Sequence, residues 1–204
     1  MTVAVVVEGD TDFPVVRKLA KDAGLSIAAE IDCGGKHQLD ADLPGYNNAA
    51  KGSPWFVLRD LNSDAQCPGQ FLASQNFAPA RWMCFRIAVR EMESWLLADA
   101  VAFSDFLRIP RSAVPADPDG EDDPTRTIVD LARRSRSRTI AKALVPRVGT
   151  STAVGPLYEA KMIEFGRERW DLDRACQRSL SLVRARKRLQ EMSRKWGRYV
   201  VGSR

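Results

Sequence analysis

The chain contains one histidine, His37, and only four cysteines, Cys33, Cys67, Cys84 and Cys176. No two cysteines form a CxxC pair, and Cys33 and His37 lack nearby partners to complete a tetrahedral zinc site. Scattered thiols of this kind fit a reducing compartment. No apolar stretch approaches the ~20 residues needed to span a bilayer, so no membrane helix is expected. The opening apolar run has no basic segment before it and no small-residue cleavage site after it. It therefore reads as a core strand and not as a secretion signal, and the expected location is the cytoplasm. Internal repeats, low-complexity tracts, helix-turn-helix and zinc-finger signatures are all missing.

What is present is a split charge. Residues 1–123 carry 11 Lys+Arg and 19 Asp+Glu, a net of −8, and residues 124–204 carry 20 and 7, a net of +13; the two sum to the whole-chain +5. A carboxylate-rich half beside a strongly basic half suits a metal-dependent protein acting on a polyanion. Solvated arginine-rich helices give the same arithmetic. The sign changes within the Pro, Asp and Gly-rich stretch 113–124, read as an exposed linker or loop. The expected organisation is an α/β core over 1–112, that linker, and a basic helical region over 125–204 packing on the core.

The acids sit in a pattern. Val3 to Val7 is a short β-branched run of the type buried on both faces of a parallel sheet, and it ends in Glu8-Gly9-Asp10-Thr11-Asp12. Phe13 to Gly24 reads as a helix and Ser26 to Ile31 as a second strand. Cys33-Gly34-Gly35-Lys36 follows, then a helical or irregular stretch broken at Pro44-Gly45. The Gly-Gly-Lys lacks Walker A spacing but offers backbone N–H groups and an ammonium. A third strand, Pro54 to Leu58, runs into Arg59-Asp60-Leu61-Asn62-Ser63-Asp64. A fourth, Cys84 to Val89, feeds Glu91 and Glu93 at the start of a helix carrying Met92, Trp95, Leu96 and Asp99 on one face. Parallel strands deliver their carboxyl ends to one edge, where open α/β sheets bind ligands. Glu8, Asp60 and one of Glu91 or Glu93 are thus expected to meet, with oxygen donors suited to a hard divalent cation. Capping of the following helices is the alternative role for these acids.

In the basic half, helices are expected over 125–134, 140–145 and 155–165. A long one is expected over 170–188, with Leu180, Val183 and Leu189 on its apolar side. Arg178, Arg184, Arg186, Lys187 and Arg188 on that last segment, with Arg147, are the candidate contacts to a nucleic-acid backbone. Arginine predominates, which suits bidentate phosphate contacts.

These junctions resemble a Toprim-type domain, the parallel-sheet unit shared by topoisomerases, primases and overcoming-lysogenization-defect-type nucleases. Its Glu-Gly signature matches Val7-Glu8-Gly9. Its Asp-x-Asp is matched by Asp60-Leu61-Asn62 with Asn in the second place, and Asp64 follows two residues later. More closely, the chain resembles a Toprim-like family of uncharacterised bacterial proteins. The matching stretches are Cys33-Gly34-Gly35-Lys36, Pro54 to Asn62, Arg86 to Asp99, Leu144-Val145-Pro146-Arg147 and Gly155-Pro156-Leu157-Tyr158. Glu93-Ser94-Trp95-Leu96 is the most particular of them and favours Glu93 over Glu91.

The resemblance implies a Mg²⁺- or Mn²⁺-dependent phosphodiesterase acting on DNA or RNA. In it, Glu8 would act as acid/base or ligand, and Asp60, with Asn62 or Asp64, would hold the cation. Glu93 would complete the site, with Lys36 or Arg59 adding positive charge. It also implies an ABC-class ATPase partner in a phage-defence or repair module. Two other roles stand beside it: a non-catalytic nucleic-acid-binding or regulatory subunit of an ATPase-containing complex, and a structural interaction domain.

Overall fold

The computed structural model describes residues 1–75 and 78–202. Four strands, β1 (Thr2–Val7), β2 (Ser26–Asp32), β3 (Trp55–Asp60) and β4 (Met83–Ala88), form one all-parallel sheet in the order β2-β1-β3-β4. The sheet is linked by α1 (Phe13–Asp22), α2 (Lys36–Ala49) and α3 (Pro68–Ser74). Seven further helices follow β4: α4 (Met92–Ala98), α5 (Ala100–Leu107), α6 (Pro124–Arg133), α7 (Arg138–Leu144), α8 (Tyr158–Glu168), α9 (Leu172–Cys176) and α10 (Leu180–Gly202). The protein is an α/β fold with a helical carboxyl-terminal part, as the sequence pattern indicates.

Side chains alternate between the two faces of the sheet. Val3, Val5, Val7, Phe56, Leu58 and Cys84 face the larger core, which contains residues of α1, α4, α5, α6, α8 and α10. Val6, Val57, Phe85 and Ile87 face a smaller core closed by Leu39 and Leu43 of α2 and Phe71 of α3. Burial on both faces explains why β1 reads as an unbroken apolar run from Val3 to Val7. Edge strand β2 is mostly exposed.

Three local expectations need correction. Pro44 does not break its helix: α2 runs through it to Ala49. A proline removes one backbone bond, and Leu39 and Leu43 anchor the helix on the sheet regardless. The long basic helix is two helices, separated at residues 177–179. Within α10 the buried stripe is Leu182, Ala185, Leu189 and Met192, spaced three and four apart, which leaves Leu180 and Val183 exposed. Thirdly, the acidic stretch at 113–124 is a loop fastened to the core. Val114, Pro118 and Pro124 are buried, and Asp119 accepts hydrogen bonds from Ser179 Oγ (2.7 Å) and the Ser181 amide (2.9 Å).

Asp99 joins two parts of the helical layer. Its fully buried carboxylate accepts from Arg174 Nε and Nη2 (both 2.8 Å), the Asp171 amide (2.9 Å) and the Ala102 amide (3.2 Å). Truncation orphans two backbone donors at once. Asp99→Ala is expected to lower stability by ~2–4 kcal/mol, read as a lower urea midpoint with an unchanged slope.

Candidate metal centre at the carboxyl edge of the sheet

From β1 the chain passes first to β2 on one side, then across to β3 and β4 on the other. The strand order therefore reverses between β1 and β3, and the crevice at their carboxyl ends is the natural ligand position. Glu8 follows β1, Asp60 closes β3, and Glu93 lies in the first turn of α4 after β4. Asp12 ends the 3-10 turn Asp10–Asp12 that leads into α1.

Two hydrogen bonds stitch the strand ends together. Glu8 Oε1 accepts from the Asp60 amide (2.8 Å), and Asp60 Oδ1 accepts from the Met92 amide (2.9 Å). Beneath them lies Arg59, whose side chain is 2% exposed. It pairs with Asp40 of α2 (2.9 Å) and Asp64 (2.6 Å), approaches Glu8 Oε1 at 3.9 Å, and covers the Phe71 ring at 4.3 Å. Its Nη1 also bonds the Asp60 carbonyl oxygen. Arg59 thus fixes one wall of the crevice and offsets part of the charge on Glu8.

The carboxyls act on one another. Burial and then the charges of Glu93 and Glu8 push Asp12 well up from the usual range. Burial, then Asp12, Glu93 and Glu8, do the same to Asp60. Glu93 is pushed up to about 7 by burial and by Glu91 and Glu8. Glu8 is raised by burial, against lowering contributions from the Asp60 amide, Arg59 and Lys36. Four carboxyls from three strand ends therefore share one partly dry space. Capping accounts for Asp60 in part, since it receives the first amide of α4, but not for the others. Asp12, at the N-cap of α1, makes no capping bond with its side chain, and neither does Glu91 at the N-cap of α4.

Of the residues singled out from sequence, Glu8, Asp60 and Glu93 come together. Glu91 borders the cluster, where its charge acts on Glu93 and Asp60, but its Oε2 is committed to the Thr125 amide (3.1 Å) and hydroxyl (2.8 Å), holding the start of α6. Lys36 bonds Asp64 (2.8 Å) and still acts on Glu8. Asp64 places one oxygen on Lys36 and the other on Arg59, and these cations hold its carboxyl below the ordinary value. It belongs to the rim of ion pairs and not to the buried cluster. Asn62 adopts a left-handed backbone (φ 50°), which Asn tolerates better than most residues, and its amide donates to the Arg90 carbonyl (2.9 Å). Its identity follows from the turn.

Two residues of the site escaped the sequence reading. Asp12 is absent from the expected ligands, and the signal for it is its position one helical turn after Glu8, across the 3-10 turn. The other is Tyr158, buried, whose hydroxyl has no partner within direct hydrogen-bond distance yet lies near enough to Glu93 to favour its charged form. Gly155 places it: the glycine is buried against the end of α7, where a Cβ would stand 2.4 Å from the Ala143 carbonyl oxygen. The Gly155 and Leu157 amides donate to the Leu144 (2.9 Å) and Ala143 (3.0 Å) carbonyls and close this contact.

The donor set suits a hard divalent cation, being all oxygen. The spacing is open: among the described residues no group of three His, Cys, Asp or Glu is arranged to enclose a metal ion. Mg²⁺ commonly takes one or two carboxylates and completes its octahedron with water and substrate phosphate, which an open crevice permits. Glu8 Oε2 and Asp60 Oδ2 are not engaged by the two stitching bonds.

The basic candidates divide. Arg186 is tied to Asp22 (2.5 Å) and Asp173 (2.7 Å), Arg188 to Glu191 (2.8 Å), and Arg178 to the carbonyls of Leu97, Ala98 and Pro115. Arg178 and Arg186 fasten elements together, while Arg188 is exposed and pairs only within α10. Arg147, Arg184 and Lys187 are exposed and form no ion pair among the described residues. No described helix is long and apolar enough to cross a membrane. Comparison with protein-family models, curated proteins and solved structures gave no match.

A carboxyl with a raised folded pKa stabilises the fold while protonated. For Glu93 that contribution is complete below pH 4.5 and is lost as the pH rises through about 7. Without divalent cation, Glu93→Gln is therefore expected to raise stability at pH 8 by on the order of 2 kcal/mol and to leave it little changed at pH 4.5. Thermal melts of both proteins across this range test the sign; an equal melting temperature at pH 8 contradicts the shared-charge cluster.

Proposed function

We propose that the crevice hydrolyses phosphodiester bonds of nucleic acid with Mg²⁺ or Mn²⁺. The observation that carries this reading is the cluster of Glu8, Asp12, Asp60 and Glu93 at one sheet edge, all four raised by burial, with Glu8 and Glu93 raising Asp12 and Asp60 further. Like charges held this way out of water are costly unless a proton or a cation compensates them. The resemblance to Toprim-like proteins and overcoming-lysogenization-defect-type nucleases supports the same reading.

In this reading Asp60 and Glu8 are the principal oxygen donors, with Asp12 supplying the charge that Asn62 does not. The bound cation would lower the pKa of a water and offset charge on the phosphate. Glu93, poised at about 7, exchanges protons near neutral pH, and Tyr158 steadies its charged form. Lys36 lies at the mouth, close enough to act on Glu8, and adds positive charge for a phosphate oxygen. Arg147, Arg184 and Lys187 contact the backbone without reading bases. The module would work in the cytoplasm with an ABC-class ATPase.

A second reading, a non-catalytic subunit of such a complex, draws on one observation: Asn62 and Asp64 both have structural occupations. Plasmid nicking and single-stranded RNA cleavage with Mn²⁺ separate the two. Under the hydrolytic reading Glu8→Gln and Asp60→Asn lower the rate by roughly 10²-fold or more, and Asp64→Asn far less. Wild-type protein that binds both substrates and cuts neither supports the subunit.

A further inference from the structure

Between the edge strand β4 and the start of α10 lies a cavity of about 400 Å³. It is lined by Arg86 and Val89 around the end of β4, the 117–120 turn, and Arg178 and Arg184. Arg86 projects from the sheet on the same side as Cys84, among apolar neighbours. Its Nε is buried with no hydrogen-bond partner, and the residue forms no ion pair among the described residues. Arg86 as a whole is half-buried, and a buried guanidinium N–H without an acceptor is unusual, because each N–H removed from water needs one.

The electrostatics agree with the geometry. Arg86 is held below the ordinary arginine value by burial and by the charges of Arg188 and Arg184, opposed only by Cys84. Arg178 is lowered by burial and by Arg111, with no carboxylate opposing them. Asp117 and Asp119 also line the cavity, yet neither acts on these arginines. Asp119 is turned to α10, where its oxygens receive Ser179 Oγ and the Ser181 amide. Arg184 is exposed and points no charge at an acid.

We propose that this cavity is a phosphate-binding pocket, with Arg86 at its floor and Arg184 at its mouth as the charged donors. Arg178 is committed to backbone carbonyls and shapes the wall. Two guanidiniums without acid partners match the planar, bidentate geometry of phosphate oxygens. The ligand class is a phosphoryl group on a nucleotide or nucleic-acid strand. The pocket shares Arg184 with the backbone contacts proposed above and so deepens that reading, but none of its residues belongs to the carboxylate cluster, so phosphate binding in EDTA is tested separately from hydrolysis.

The test is calorimetry at low salt with EDTA, so that binding through a divalent cation is excluded. The probes are inorganic phosphate, a 5′-phosphorylated trinucleotide and its 5′-hydroxyl counterpart. Binding of at least one probe is expected, weakened roughly tenfold by Arg184→Ala and by Arg86→Met and unchanged by Glu8→Gln. Preference for the 5′-phosphorylated strand assigns a terminal phosphate; equal binding of both strands, lost in the same variants, assigns an internal phosphodiester. Arg184→Ala lies on the surface and carries the test by itself if circular dichroism shows Arg86→Met unfolded. No binding of any probe, or wild-type affinity in Arg184→Ala, overturns the proposal.

Discussion

The site depends on two hydrogen bonds in series, from the Asp60 amide to Glu8 and from the Met92 amide to Asp60. They set the spacing of three strand ends, and in doing so they bring like charges together. Each bond favours an ionised acceptor, while burial and the neighbouring carboxyls oppose ionisation. The balance falls on the side of raised pKa values, so the hydrogen bonds hold the acids in place without relieving their repulsion. A cation or protons must do that. Arg59 sits below as the internal counterion, but it also serves Asp40 and Asp64 and cannot neutralise the whole group.

The sheet edge was legible in the sequence for a physical reason. A strand buried on both faces must be continuously apolar, so the first acid after it marks its carboxyl end. Val3 to Val7 followed by Glu8, and Phe56 to Leu58 followed by Asp60, announce position as well as type. Arg59 interrupts the second run while buried, since its charge is met by three carboxylates; hydrophobicity by itself could not reveal this. Asp12 and Tyr158 were hidden for another reason. One is brought in by a 3-10 turn before a helix and the other by a glycine contact across the helical layer. Neither arrangement has a period that a local pattern can show.

The basic half illustrates the limit of counting charge. The excess of arginine suggested a single surface for a polyanion, yet Arg174, Arg178 and Arg186 fasten helices to the core. Arg174 grips Asp99, and Arg186 spans from α10 to Asp22 at the end of α1. What remains for a ligand is a smaller set, Arg147, Arg184 and Lys187 on the surface and Arg86 within the sheet edge. Arg86 is in the acidic half of the sequence, where a tally of charge would not look for it.

The central claim is that the raised carboxyls form one divalent-cation site. Mn²⁺ binding to such a site displaces the protons that the cluster holds, so binding heat must depend on the buffer. Calorimetric titration of the wild-type protein with Mn²⁺ at pH 6.5, in two buffers of different ionisation enthalpy, measures this directly. The account predicts binding with about one proton released, and loss of both binding and release in Asp60→Asn. Absence of binding, or binding without proton release that persists in Asp60→Asn, would contradict it.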